Sequence, residues 1–416
     1  MTGSDTRPRP RGACARAALA CAAVWLTLAA PAAADVFNGR IAFSSVRTDP
    51  QAKEFDIFSM SPDGSDVRRL TTNPATDRQP DWSPGGTRIA YSIDKPDSPV
   101  NFEVARMTAG GTRHLRLTET PTGQASSQPS WLPGGRGILF RRSASGRQSS
   151  IWQMGPRGEN PAVRFAPPHP PLYPSFAPDR RRIAYAAILS PTGDTDRGIF
   201  SMARSGGVPA PLFDVPGAYD SAPSWSPDGR QIAFESDADV GAANPERDME
   251  IWVMRADGSR PVQLTANAAH DEGPSWSPDG RRLAYTSGVD ATHGDIHVMP
   301  AAGGDPRRLT RYAGADESPD WQAIPAPDTD ARCGGLGRSG RASGVSDVRA
   351  AGRGLTCAAA RTLVRRWLRA DRPRRVRGGY SATVTDFGGL RRVLLRRGDD
   401  GRRRLVAFLH QPASKR

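Results

Sequence analysis

Hydrophobic and polar positions along the chain form a pattern that repeats every 45 to 51 residues. The clearest copy reads Pro-Ser-Trp-Ser-Pro-Asp-Gly from Pro274 to Gly280 and continues into the apolar run from Leu283 to Tyr285. The equivalent of its aromatic residue, Trp276, recurs at Trp82, Trp131, Phe176, Trp225 and Trp321. A repeat of this length, built from short apolar runs and Gly/Pro turns, is typical of a β-propeller with one blade per repeat.

Each repeat predicts four strands. Pro-x-Trp starts the first strand, and Ser-Pro-Asp-Gly predicts a turn because Pro fixes φ at the second turn position and Gly accepts a positive φ. The second strand reads Ile-Ala-Phe or a close variant, beginning at Ile41, Ile89, Ile138, Ile183, Ile232 and Leu283. The third strand ends each time in methionine, at Met60, Met107, Met154, Met202, Met254 and Met299. Several third strands are apolar without alternation, which is typical of strands buried on both faces, and a short Leu-Thr segment predicts the fourth.

The two ends of the repeat array predict how the ring closes. The first repeat begins at Asn38 without a Pro-x-Trp strand, whereas the last Pro-x-Trp, ending at Trp321, is followed by no further copy of the second strand. We therefore predict that the strand around Trp321 completes the first blade and removes the open sheet edges. The predicted fold class is all-β: a six-bladed propeller over residues 35–324, closed by a C-terminal strand and followed by a small α+β domain.

The succession Pro-Ser-Trp-Ser-Pro-Asp-Gly, Ile-Ala-Phe, Ile-Trp-Val-Met and Leu-Thr resembles the TolB-type propeller repeat, a WD40-like family. It is also similar to the propellers that cover the active site of prolyl-oligopeptidase-like enzymes. The resemblance spans Val36 to Trp321 and implies a six-bladed ring. Because propellers host many unrelated activities, function has to be argued from the site.

The amino terminus predicts export. Four arginines precede an apolar run from Ala17 to Ala30, and the small residues from Ala32 to Ala34 suit cleavage, so residues 1–34 read as a secretory signal peptide. The alternative is a disordered or membrane-bound amino terminus, although the run is short for a membrane span. We expect a secreted or cell-envelope protein, periplasmic or extracellular, that is monomeric and has no membrane span after signal removal.

The carboxyl terminus predicts a separate basic domain. A Pro-rich linker over residues 325–332 leads to residues 333–416, where the pattern predicts a helix over 356–370 and three short strands over 380–384, 393–395 and 405–408. Residues 331–416 hold 22 Lys/Arg against 5 Asp/Glu, so their net charge of +17 exceeds the +14 of the whole chain. We expect this tail to contact anionic envelope polymer, and export argues against nucleic acid as a partner. Cys333 and Cys357, the two cysteines beyond the leader, predict a disulfide.

Function is expected on one face of the disc. Connections in a four-stranded blade alternate between the faces, so the Ser-Pro-Asp-Gly turns share one face (the turn face) and the long loops between second and third strands share the other (the loop face). The loop face is rich in acid, including Glu235, Glu272 and Glu317, which predicts a basic protein or peptide partner. The candidate partner-binding residues are four corner aspartates, each three residues before a strand-starting proline, and four acids of the longest loop: Asp77, Asp220, Asp271, Asp316, Asp237, Asp239, Glu246 and Asp248. The alternative for each corner aspartate is a structural role as a turn cap.

Catalytic and metal-binding patterns are weak in this sequence. His293, Asp295 and His297 alternate along a predicted strand and carry metal-ligand side chains. The repeat, however, aligns His297 with core positions such as Trp252, and aligns Asp295 with an acid common to most blades. We therefore predict no metal and no cofactor.

The sequence leaves two classes of function open. No Gly-x-Ser-x-Gly elbow or P-loop occurs in the chain. We favour an exported, non-enzymatic binding or scaffold protein that engages a protein or peptide partner. The alternative is a propeller enzyme acting on polysaccharide, a lyase or hydrolase, with its residues at the channel mouth.

Overall fold

A computed structural model describes residues 36–48, 54–95, 98–144, 149–190, 196–240, 244–290 and 293–325, together with 331–332, 345–351, 362–365, 375–376, 380–387, 390–397 and 404–410. Five blades are four-stranded antiparallel sheets of consecutive strands. The second blade contains β4 (Asp77–Trp82), β5 (Arg88–Lys95), β6 (Ser98–Thr108) and β7 (Leu115–Arg116). The third contains β8 (Ala125–Trp131), β9 (Ile138–Ser143), β10 (Ser149–Met154) and β11 (Ala162–Phe165).

The next three blades follow the same order. The fourth blade contains β12 (Pro171–Phe176), β13 (Arg182–Ile188), β14 (Arg197–Ala203) and β15 (Ala210–Phe213). The fifth contains β16 (Ser221–Trp225), β17 (Gln231–Ser236), β18 (Glu250–Arg255) and β19 (Val262–Gln263). The sixth contains β20 (His270–Trp276), β21 (Arg282–Asp290), β22 (His293–Pro300) and β23 (Arg307–Arg308).

The first blade is assembled from both ends of the array. Its β1 (Val36–Ser45), β2 (Asp56–Met60) and β3 (Arg68–Arg69) are joined by β24 (Asp316–Pro325), which pairs antiparallel with β1. Ile41 lies opposite Trp321 in this pairing, and the side chain of Gln322 accepts a hydrogen bond from the backbone N–H of Arg40 at 3.0 Å. The predicted six-bladed ring and its closure by the strand around Trp321 are confirmed.

The apolar core lies between neighbouring blades. One cluster joins Ala184 and Ile199 of the fourth blade to Trp225 and Ile232 of the fifth, and the same arrangement recurs around the ring. Every residue of β2 is buried, as the lack of alternation in the third strands predicts. Burying a large apolar side chain contributes about 1.5–3 kcal/mol, so these shared clusters make each blade depend on its neighbours for stability.

The Ser-Pro-Asp-Gly turns have the predicted geometry. The backbone N–H of Gly280 donates to the carbonyl of Ser277 at 2.8 Å, and Gly280 has a φ of +71°. The side chain of Asp279 accepts from the hydroxyl of Ser277 at 2.7 Å and from the backbone N–H of Arg281 at 3.1 Å. Each residue of the turn therefore has a definite role in reversing the chain.

Beyond the propeller, six described strands form one sheet in the order β25-β26-β30-β29-β28-β27. They are β25 (Ala331–Arg332), β26 (Val345–Ala351), β27 (Arg375–Val376), β28 (Tyr380–Phe387), β29 (Leu390–Arg397) and β30 (Arg404–His410). Residues 362–365 are helical, within the range predicted as a helix. The predicted signal peptide, Cys333 and Cys357 lie outside the described residues. In the part of the chain that the structure describes, no helix has both the length and the hydrophobicity to cross a bilayer.

Candidate partner-binding site at the channel mouth

The first strand of each repeat, together with β24, lines a central channel. From each of these six inner strands the proline and its two neighbours face the lumen, and they enclose a cavity of about 180 Å³. The same three positions of the repeat therefore line the channel in all six blades, and the side chains beside the proline differ from blade to blade. Chemistry in the channel is set by the residues beside the prolines.

The residue before each channel proline has a left-handed backbone. Its φ is +56° at Gln79, +55° at Gln128, +48° at Tyr173, +49° at Ala222, +61° at Gly273 and +54° at Ser318. A register shift accompanies each of these residues, as expected of a β-bulge that redirects side chains. Five of the six are not glycine, so this conformation is strained and needs support from its surroundings.

Side chains of the preceding blade provide that support. The backbone N–H of Gln79 donates to the hydroxyl of Ser44 at 3.1 Å, and that of Gln128 donates to Ser92 at 3.1 Å. The N–H of Gly273 donates to the carboxylate of Glu235 at 2.7 Å. These bonds fix the channel lining and the contacts between blades at the same time.

Three carboxyl groups from three blades lie near the loop-face end of the channel, where the charge of Glu272 acts on both of the others and the backbone N–H of Gly273 donates to Glu235. Glu235 lies on β17, Glu272 on β20 and Glu317 on β24, and we call these three residues the mouth acids. Burial raises the pKa of all three, and the charge of Glu272 raises the pKa of Glu235 further. Burial is the largest cause of each increase, and the charge of Arg78 opposes it at Glu317.

Two arginines and a tyrosine complete the mouth. The guanidinium of Arg78 lies 3.7 Å from Glu317 and stacks over the ring of Phe55 at 3.8 Å. Arg197 is buried, with its guanidinium 3.7 Å from the ring centre of Tyr219. Burial raises the pKa of the Tyr173 hydroxyl to about 12, with further increases from the charges of the mouth acids.

Arg78, Arg197 and Tyr173 were not predicted from the sequence as site residues. A positional signal for Arg78 was available, because it stands two residues before a channel proline, as Glu272 and Glu317 do. Tyr173 likewise stands directly before its proline, in the position of Gln79. Arg197 comes from a third strand, and only the closed ring brings it to the mouth.

A carboxyl pair lies deeper in the channel. Asp81 and Asp320 follow the prolines of neighbouring blades, and each accepts a backbone N–H from the next blade, from Trp131 at 2.7 Å and from Trp82 at 2.6 Å. Burial raises the pKa of both carboxyls, and the charge of Asp320 raises that of Asp81 further. The channel therefore carries five carboxyl groups, counting the mouth acids.

The four corner aspartates are completely buried, at 0% exposure for Asp77, Asp220, Asp271 and Asp316. Each accepts a hydrogen bond from a neighbouring side chain: Asn73 to Asp77 at 2.6 Å, Ser236 to Asp220 at 2.5 Å, Asn267 to Asp271 at 2.8 Å and Arg47 to Asp316 at 2.5 Å. In this conformation they have no surface with which to touch a partner. These contacts all lie within the propeller.

The acids of the longest loop differ in how available they are. Asp239 and Glu246 are exposed, Asp237 is half-buried and Asp248 is buried. Asp237 accepts the backbone N–H of Tyr219 at 2.7 Å and lies 3.8 Å from the guanidinium of Arg247. Of the four acids, Asp239 and Glu246 are thus the ones that a partner could reach most easily.

The His-Asp-His strand places two of its three side chains in structural contacts. The ring of His297 stacks on Tyr285 with centroids 5.7 Å apart, and burial lowers its pKa. Asp295 lies 2.5 Å from the guanidinium of Arg308 and accepts the hydroxyl of Thr310 at 3.0 Å. Among the described residues, no group of three or more His, Cys, Asp or Glu side chains is arranged to hold a metal ion.

Fold and site together define a six-bladed β-propeller with an acidic channel mouth. Residues 156–328 match the family described as the TolB beta propeller domain, and the propeller is of the TolB type. In general, such a propeller supports a binding or scaffold role.

Individual relatives agree with this assignment of the fold. The chain is 29% identical over 224 residues to the uncharacterized protein Atu1656 of Agrobacterium fabrum, a match that covers 53% of this chain and 69% of that protein. The structure of TolB from Acinetobacter baumannii superposes with a TM-score of 0.57 at 18% identity, over 68% of this chain and 66% of that one. A 117-residue match at 31% identity to the uncharacterized peptidase YuxL of Bacillus subtilis covers 27% of this chain and only 16% of that protein.

Proposed function

We propose that this protein is an exported binding or scaffold protein whose loop face, centred on the mouth acids, holds a cationic segment of a protein or peptide at the cell envelope or surface. The segment carries a lysine, an arginine or a free amino terminus. The TolB-type propeller supports the general role, and the channel mouth supports the cationic character of the partner.

The convergence of Glu235, Glu272 and Glu317 carries this proposal. Among the described residues, five carboxyl groups of the channel and its mouth (Asp81, Asp320 and the mouth acids) lie near the guanidinium groups of Arg78 and Arg197, and both arginines also contact aromatic rings. A carboxyl whose pKa is raised by burial is stabilised when a cation enters, because the ion pair offsets the cost of its charged form. Binding a cationic segment should therefore release protons and strengthen as the pH rises.

The basic tail has a second role in the proposal. With 22 Lys/Arg and 5 Asp/Glu over residues 331–416, it would be attracted to anionic envelope polymer. This attraction keeps the propeller near the envelope while the loop face engages its partner. Raising the salt concentration should release the tail, since exposed charges are screened beyond about 8 Å at physiological ionic strength.

Capture experiments with matched variants test the proposal. Immobilised protein is incubated with envelope extract, and the captured partner is compared between wild type, the mouth variant E235Q/E272Q/E317Q and the loop variant D239N/E246Q. We expect both variants to lose capture, the mouth variant more strongly. The control D228N/D279N neutralises two acids of the turn face and should capture as wild type does. Loss of capture in the control alone would move the partner to the opposite face.

An enzymatic role is the second candidate, because acid, tyrosine and arginine side chains converge at the same mouth. Glu235 and Glu272 have raised pKa values, which suits general acid chemistry on a polysaccharide. The channel cavity of about 180 Å³ is small, so a polymer could bind only across its mouth. Incubation with anionic and neutral polysaccharides, followed by measurement of new reducing or unsaturated ends, tests this role; activity lost in E235Q would favour the enzyme.

A further inference from the structure

Four of the six blades place an acid at one position of the third strand, directly before a buried isoleucine or valine. In the sheet register each acid lies opposite an uncharged residue of the second strand, in the pairs Ser45–Asp56, Ile93–Glu103, Ser236–Glu250 and Ser287–Asp295. Each acid accepts hydrogen bonds from nearby residues; the hydroxyl of Thr71, for example, donates to Asp56 at 3.0 Å. A carboxylate is therefore a regular component of this position, and the fourth blade, with Ala187 opposite Gly198, carries no charge there.

The third blade reverses the charge at this position. Ser150 stands in place of the third-strand acid, and Arg142 lies opposite it in the register. The corner aspartate of other blades is replaced by Ser126, and Ala166 stands where four outer strands carry a threonine. The third blade has thus lost two carboxyl groups of the repeat and gained a guanidinium in the same region.

Stacking holds the new guanidinium in place. The Arg142 guanidinium lies 4.0 Å from the ring centre of Trp152, and its Nε donates to the hydroxyl of Ser126 at 3.4 Å. The Trp152 ring is itself fixed, because its Nε1 donates to the hydroxyl of Ser150 at 2.9 Å. A stacked guanidinium keeps its N–H groups in the plane of the fork, where they can bind a carboxylate.

Among the residues that the structure describes, no carboxylate forms an ion pair with Arg142. Burial lowers the pKa of its guanidinium, and the charge of Glu103 in the second blade partly offsets this effect. Glu103 is already bound to Lys95 at 2.8 Å. Arg142 is therefore a half-buried cation whose neighbouring acid is engaged elsewhere.

An open cavity of about 450 Å³ lies against this guanidinium. Arg142, Trp152 and Ser150 line one part of it, beside further polar groups of Gln124, Ser143 and Ser149. The remaining wall is formed by alanine and proline side chains, including Ala166. Every lining residue is half-buried or exposed, so the cavity is open to solvent rather than filled by its own walls.

We propose that this third-blade cavity binds a small hydroxylated carboxylate, a ligand with the chemistry of a sugar acid. The carboxylate of the ligand pairs with Arg142 beside Ser150, where four other blades carry an acid of their own. A guanidinium binds a carboxylate through two parallel hydrogen bonds, which orients the ligand. Its hydroxyl groups bond to Gln124, Ser143 and Ser149, and the cavity volume lies within the range of small-molecule sites.

The cavity is independent of the channel mouth. None of the mouth acids, nor Arg78 or Arg197, is among the residues that line it. The mouth variant E235Q/E272Q/E317Q should therefore bind a sugar acid as wild type does, so this proposal and the proposed partner site can fail separately.

Saturation-transfer NMR with D-glucuronate tests the proposal on the full chain. We expect transfer from the protein to glucuronate but not to the neutral sugar D-glucose. Arg142→Gln should weaken glucuronate binding about tenfold or more, because hydrogen bonds to a charged group are lost. Ser150→Asp supplies the acid that four other blades carry, which should pair with Arg142 and exclude glucuronate. The control Arg164→Gln removes an exposed arginine of the same blade that does not line the cavity, and should bind as wild type does.

Several results would overturn the proposal. They are no transfer at about 10 mM glucuronate, equal transfer to glucose, or displacement of glucuronate by inorganic phosphate at lower concentration than by unlabelled galacturonate. Unchanged binding in Ser150→Asp that melts as wild type does would also contradict it. Should Ser150→Asp fail to fold, the comparison of Arg142→Gln with Arg164→Gln decides: equal binding by these two variants contradicts the assigned role of Arg142.

Discussion

The carboxylate of Asp320, on the strand that closes the ring, accepts the backbone N–H of Trp82 at 2.6 Å, although 238 residues separate them. The other oxygen of Asp320 accepts the hydroxyl of Ser275 at 2.9 Å. One side chain therefore joins the sixth, first and second blades at the channel wall. Its burial beside Asp81 makes the charged form costly, so the hydrogen bonds rather than the charge make this residue useful to the fold.

The carboxyl group of Asp320 should be replaceable by an amide but not by a methyl group. Asp320→Ala leaves the Trp82 N–H and the Ser275 hydroxyl without an acceptor and should lower the free energy of unfolding by about 1–3 kcal/mol. Asp320→Asn keeps an acceptor oxygen and removes the repulsion with Asp81, so its stability should equal or exceed that of wild type at pH 7. Urea unfolding of the three proteins measures this. An Asp320→Ala protein as stable as wild type would contradict the role of the hydrogen bonds.

Removal of the closing strand should affect every blade. A chain ending at Thr310 lacks β24 and leaves β1 with an unpaired edge and the Trp321 core open, so the remaining blades lose contacts on both sides of the gap. We expect one thermal transition at a markedly lower temperature than that of the full chain, not the separate loss of one blade. Coincident melting curves of the two proteins would show that closure adds no stability.

Stability should depend on pH through the buried corner carboxyl of Asp220. Burial raises its pKa to about 8, well above the value of about 4 for an unfolded aspartate. Between these values the folded protein holds a proton that the unfolded chain has released. The stability that the folded protein gains from this bound proton is therefore fully present below pH about 4 and is lost as the pH rises through about 8. Asp220→Asn cannot titrate, so it should gain stability relative to wild type from pH 5 to pH 8.

Urea unfolding at both pH values gives the comparison for Asp220→Asn. Asp228→Asn, at an exposed position of a turn, provides the control and should follow wild type at each pH. A constant difference between Asp220→Asn and wild type would mean that Asp220 does not hold its proton in the folded state.

The two cysteines of the tail remain a prediction from sequence, since both lie outside the described residues. A disulfide between Cys333 and Cys357 closes a loop worth about 3 kcal/mol in the chain-entropy description. Intact mass measured without reduction on protein collected outside the cell should be lower by two hydrogens than after reduction. Two free thiols in that protein would contradict the pairing.

The repeat made the architecture predictable from sequence. Pro-x-Trp, the Ser-Pro-Asp-Gly turn and the methionine-ended strands act locally, so each copy specifies its own strands, and the missing strand of the first copy identifies the one supplied by Trp321. Local rules also explain why Asp295 and His297 take structural contacts, because the repeat aligns His297 with core residues and Asp295 with an acid common to most blades.

The candidate site was less accessible to prediction, because it depends on which blades become neighbours. Arg78 and Glu317 are 239 positions apart in sequence, yet their side chains lie 3.7 Å apart once the ring closes. The left-handed backbone before each proline was also not evident, because residues such as Gln79 and Tyr173 have no intrinsic preference for it. Bonds from the preceding blade, as from Ser44 to Gln79, support that conformation, and they exist only in the assembled propeller.

Hydrogen exchange of the propeller with and without its captured partner tests the central claim most directly. The loop-face segments that contain Glu235, Asp239 to Glu246, Glu272 and Glu317 should exchange more slowly in the complex. Segments of the turn face that contain Asp228 and Asp279 should be unchanged. Protection confined to the turn face, with the loop-face segments unaffected, would contradict partner binding at the channel mouth.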